Sequence, residues 1–192
     1  MRRNVLIAGL ALLPLGWLLS RWGMTGHMAA HMIAVAIAAP AIAWGLQDTR
    51  LDAAARWPRF ATPLIAALVE AVVVWGWHVP ALRRLADHRA IWLIAEQASF
   101  LAAGLLLWSA VLAPRHRAAG VAALLVTSMH MTLLGALIGL APRPLYSHHG
   151  AGALEDQQLS GVVMLLVGGI AYLSGGLAML GHLLRTRQEA HA

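Results

Sequence analysis

Six apolar runs fill this chain, and each approaches the length of a membrane-spanning helix. They cover about 4–20, 28–46, 61–79, 91–112, 118–140 and 159–183. A span needs about 20 mostly apolar residues, because in hydrocarbon each backbone polar group must be satisfied within a helix or a closed barrel. Only 11% of the residues are charged, against roughly 25% in an ordinary soluble domain. That excludes a disordered tail and argues against a soluble globular fold. The expectation is an all-α integral membrane protein, a bundle of about six transmembrane helices forming one domain over 1–192. The first run follows Met1-Arg2-Arg3 like a signal sequence. Ser20-Arg21-Trp22 is a poor cleavage site, so the run reads as an uncleaved anchor.

The net charge of +6 comes from fourteen Arg and no Lys. A basic chain can bind nucleic acid. Here the arginines sit in short clusters between apolar runs, which membrane topology explains better. With the N-terminus inside, nine Arg fall on inner segments; the five on outer ones are Arg21, Arg83, Arg84, Arg89 and Arg143. The positive-inside rule therefore predicts both termini in the cytoplasm. Eight of the twelve aromatic rings are Trp, a residue suited to the bilayer interface.

There is no cysteine, so disulfides, thiolate metal sites and thiol nucleophiles are excluded. Any metal must be held by His, Met or carboxylate. The segment MTGHMAAHM, 24–32, concentrates such groups. His27 and His31 are i and i+4 and share a helix face. Met24, Met28 and Met32 lie within the same turns. Thioether with imidazole suits copper, especially Cu(I); alternatively, Met fills core gaps and His packs at an interface. His78 closes the third run beside Trp75 and Trp77, where an interfacial belt is the plain alternative. His130 lies about 12 residues into the fifth run, roughly 18 Å deep at 1.5 Å per residue. A His at that depth is costly unless paired, solvated or ligated.

The last outer loop carries His148, His149, Glu155 and Asp156. Asp156 stands where a helix N-terminus favours an anion, so capping competes with any ligand role. Glu70 and Glu96 lie within spans, where they could pair with His, steer a cation or carry protons. With the N-terminus inside, His27, His31, His78, His130, His148, His149, Glu96 and Asp156 all fall in the outer half. A site loaded from the outer face is expected.

In order, HMAAHM, AAPAIAWG, WGWHVPAL, EQASFLAAGLLLW, HMTLLGALI, PLY and LEDQQLSGVVM resemble the polytopic CtaG-type cytochrome c oxidase assembly family, over about 24–180. The resemblance implies a multi-pass protein of the bacterial inner membrane that helps mature a haem–copper oxidase at its copper-delivery step. It implies an assembly factor rather than an enzyme, with an oxidase subunit or a periplasmic copper donor as partner, besides the lipid bilayer. Carried over, it points to His27, His31, His78, His130 and Asp156, with Gln157 beside it. Gln97 stands where the resemblance leads one to expect His, Leu165 where it leads one to expect Trp, and six spans are read where seven are common.

The leading expectation is a Cu(I) site drawn from His27, His31, Met28, His78 and His130. Two alternatives stay open. One is a b-type cytochrome with haem between His78 and His130. The other is a metal-free scaffold in which the same histidines pack or hydrogen-bond.

Overall fold

The computed structural model describes residues 1–146 and 152–189. Among the described residues every regular element is helical. The order is α1 (Arg2–Leu19), α2 (Gly23–Met32), a π-helical turn (Ile33–Ala38), α3 (Ala39–Leu46), α4 (Ala53–Arg56), α5 (Pro63–His78), α6 (Pro80–His88), α7 (Ala90–Leu112) and α8 (Arg117–Gly139). It ends with α9 (Ala153–Val163), a second π-turn (Met164–Gly168) and α10 (Gly169–Glu189). The segments either side of each π-turn run on as single long helices.

Five helical stretches are long and apolar enough to cross a membrane, and a sixth joins them if α5 and α6 count as one bent span. The run at 61–79 is thus not the straight span its hydropathy suggests. Pro63 opens α5 at a position where its missing N–H costs nothing. Val79, extended because a proline follows it, closes it. The chain then turns by 72° into α6. Sixteen residues reach about 24 Å, short of a hydrocarbon core of about 30 Å.

Burial along α5 is inverted relative to a soluble helix. Leu64, Leu68 and Val72 face outward, whereas Ala66, Glu70, Val74 and His78 are buried. The apolar face meets the surroundings and the polar groups meet other helices, the pattern expected in lipid. Small residues bring the helices close. A Cβ on Gly161 of α9 would stand 2.6 Å from the Gly135 carbonyl oxygen of α8, so only glycine permits this crossing. The two π-turns lie at neighbouring levels, since the Met32 sulfur and Met131 both abut Gly168. π-turns occur often beside functional sites.

Candidate metal site

Three histidines from two helices gather around Phe100 of α7. Their ring centroids lie 3.9 Å (His31), 6.1 Å (His78) and 6.4 Å (His27) from that of Phe100. His31 and His78 are 5.3 Å apart, His27 and His78 6.2 Å. An imidazole nitrogen about 2.0 Å from a metal puts its ring centroid roughly 3.2 Å from it, so two ligands stand roughly 5–6 Å apart. The His31–His78 pair has that spacing. His130 of α8 lies within electrostatic range of His31. Among the described residues no three His, Asp or Glu side chains already converge on one point. Binding there requires the rings to turn.

The rings differ in what they can offer. His78 Nδ1 lies 2.7 Å from the Val74 carbonyl oxygen. A carbonyl only accepts, so Nδ1 carries the proton and Nε2 keeps the lone pair. A backbone carbonyl on one nitrogen is the usual partner of a metal-binding His. His78 Nε2, both nitrogens of His31 and both of His130 are buried with no hydrogen-bond partner. Buried polar atoms without partners are uncommon and costly, about 1–3 kcal/mol each. Five of the unpartnered atoms belong to these three imidazoles.

His27 is committed differently. Arg83 of α6 donates from Nη1 to His27 Nδ1 at 3.0 Å. The same Nη1 meets both Glu96 oxygens, at 2.8 and 2.6 Å, and Nη2 donates to Asp87. Arg83 is only 5% exposed and Glu96 not at all. Arg83, counted from sequence among the outer-loop charges, is therefore the inward partner of a carboxylate buried in the protein. With Arg83 on Nδ1, the His27 proton sits on Nε2, 3.7 Å from Glu96 Oε1.

Met28 is fully buried in the core, as are Met24, Met32, Met131 and Met164. It is turned about 60° from His31 and 100° from His27 around the helix axis, at 3.6 residues per turn. Its stripe runs beside the histidine face. Met129 points outward and Met131 inward from either side of His130, as their positions on consecutive faces require.

Asp156 meets the start of α2. Its two carboxylate oxygens accept the Met24 and Thr25 backbone N–H groups at 2.6 and 3.1 Å. The first turn of α2, two turns before His31, is thus capped by a residue of α9. The sequence suggests a cap for its own helix; the structure uses it on another. Gly23 makes room: its φ is +65° and a Cβ there would lie 2.5 Å from Asp156 Oδ2. Exchanging Asp156 for Ala removes both bonds, and a lost cap costs about 1–2 kcal/mol. Thermal unfolding should drop accordingly, and Asp156→Asn, which keeps one accepting oxygen, should recover part of the loss.

The neighbouring Gln157 clamps the segment that follows α8, accepting from the Leu145 N–H at 2.6 Å and donating to the Ile138 carbonyl at 3.2 Å. Tyr146 then donates to the His78 carbonyl at 3.1 Å. Burial pushes the Tyr146 phenol up to about 12, so it remains a neutral donor. His148 and His149, expected near this site, lie outside the described residues, as does His191.

A second polar layer lies beneath the histidines. Glu70, fully buried, receives the Tyr172 O–H at 2.6 Å and faces the Thr127 hydroxyl. Arg83, Phe100, Tyr146 and Tyr172 were not singled out from sequence. Asp87 four residues after Arg83, and Glu96 within the next helix, were the available signal for Arg83 in a chain so poor in charge.

No curated relative and no solved structure matches the chain significantly. One family does match, described as cytochrome c oxidase caa3 assembly factor, over residues 5–186. That range holds the His27/His31/His78 cluster, the Arg83–Glu96 pair, the Asp156 cap and all but the outermost ends of α1 and α10. The chain therefore belongs to the cytochrome c oxidase caa3 assembly factor family.

Proposed function

We propose that this chain handles copper during oxidase assembly, holding Cu(I) as cargo among His31, His78 and His130 and passing it to an oxidase subunit. The observation that carries the reading is His78. Its Nδ1–H is anchored on Val74, and its buried Nε2 lone pair faces a layer of further unpartnered imidazole nitrogens. Imidazole suits copper, and neutral thioethers nearby suit Cu(I). His27 joins as a further ligand when Arg83 lets go of Nδ1. Met28 lines the adjoining wall as an adaptable neighbour. Asp156 holds the start of α2 rather than the ion.

The site is loaded from the periplasmic side of a bacterial inner membrane, with both termini in the cytoplasm. Burial of Arg83 strengthens that orientation, because a paired internal arginine no longer opposes the positive-inside bias. The role needs no covalent or redox step, in keeping with an assembly factor rather than an enzyme. Detergent-purified chain loaded anaerobically with Cu(I) should retain about one copper per chain and show no Soret band. A Soret band would assign the histidines to haem, and neither signal would leave a metal-free scaffold.

A further inference from the structure

We infer that Glu70 is the counter-charge of this cation site: uptake of one Cu(I) by the neutral imidazoles is balanced by loss of the Glu70 carboxyl proton. The inference rests on the copper reading above. In the exchange, Cu(I) enters, copper–imidazole bonds form, the Glu70 O–H bond breaks and its proton leaves to solvent. Copper is neither oxidised nor reduced, and the net charge of the buried layer is unchanged. A lone added cation, or a lone carboxylate, is costly at that depth.

The geometry beneath the histidines supports this. Val35 follows His31 by four residues, about 6 Å along the helix, and Thr127 precedes His130 by three, about 4.5 Å. Glu70 meets both levels, through Tyr172 and Thr127, so it lies about one turn below His31 and His130, and on its own helix eight residues, about two turns, before His78. Ala39 donates to Ala34 across the π-turn, and Pro40 has no N–H. The Val35 carbonyl is therefore available to side chains, and accepts from Trp108 Nε1 at 3.0 Å and from Tyr172 at 3.2 Å. Tyr172 thus has one proton and two acceptors, Glu70 Oε1 and Val35 O. When Glu70 is a carboxylate, the phenol donates to it. When Glu70 is a carboxylic acid, it can donate to the phenol, which then donates to Val35. Tyr172 can thus partner Glu70 Oε1 in either charge state without moving a helix.

The other charges nearby are spoken for. Glu96 on α7 is neutralised by Arg83, and Asp87 on α6 shares that arginine at the partly exposed rim. Asp156 faces a helix N-terminus. Among the described residues, the titratable group that meets Glu70 is Tyr172 on α10, beside the Thr127 hydroxyl of α8.

The test is a Cu(I) titration of the purified full chain, anaerobic and weakly buffered just below neutral pH, with a pH indicator reading released protons. Wild type should release about one proton per copper, and its affinity should rise about tenfold per pH unit, the slope of one linked proton. Glu70→Gln keeps the shape and accepts from Tyr172; it should bind copper with no proton release, a flat pH profile and about tenfold weaker affinity at the alkaline end. Tyr172→Phe should still release the proton, which separates the carboxyl from the phenol as its source. Copper binding without proton release in wild type, or undiminished release from Glu70→Gln, overturns the inference and leaves the copper reading standing. No copper uptake by wild type overturns both.

Discussion

Replacing His31 and His78 together by Ala is expected to abolish Cu(I) retention while leaving the helices assembled. Loss of outer-shell partners alone typically lowers metal affinity about 10–100-fold. Removal of two direct ligands should exceed that, so a competing Cu(I) chelator should strip the variant completely. Stability should change little, for a reason specific to these positions. Truncating a buried ring leaves a cavity, which is destabilising. It also removes three imidazole nitrogens that have no partner, and an unpartnered buried polar group costs about 1–3 kcal/mol. The two effects oppose each other. Copper retention equal to wild type in the double variant would remove these residues from the ligand set.

Arg83→Ala should do the opposite: it should damage the fold more than the cargo site. Glu96 is fully buried, and both of its oxygens face one guanidinium nitrogen. Breaking a buried ion pair by removing one partner costs about 3–5 kcal/mol, because the remaining charge is stranded. Asp87 adds less, since its side chain is 21% exposed. The measurement is thermal unfolding in detergent, followed by aggregation or proteolysis. Adding Glu96→Gln to Arg83→Ala should restore much of the loss, because no buried charge is then left alone. Wild-type stability of Arg83→Ala would mean that this pair is not buried in the folded chain.

The long apolar runs were legible because hydropathy is a property of local sequence. The helices at Arg2–Leu19 and Ala90–Leu112 fall within a few residues of their expected bounds. The shared face of His27 and His31 was legible for the same reason, being fixed by helical period. What escaped has a common cause: it depends on which distant residue comes near. Nothing in PALRRLADH says that Arg83 turns inward while Arg84 and Arg89 remain exposed. Nothing in LEDQQL says that Asp156 caps another helix. The bend at Val79 was readable in principle from Pro80, but an uninterrupted apolar run masked it. The π-turns leave no mark in composition at all, since each amounts to one residue more than the α-helical ladder needs.

The Asp156 cap also carries a statement about time. The Met24 N–H that it satisfies lies 132 residues upstream. Synthesis proceeds from the N-terminus, so α2 is made long before α9 exists. Until the last long helix is made and docked, the start of the histidine-bearing helix has no carboxylate to hold it. The outer end of the site is therefore among the last parts of the molecule to be completed. A nascent chain still lacking its C-terminal quarter would present the histidines on a helix whose first turn is loose, and the proposed site would be finished only once the whole chain had been made.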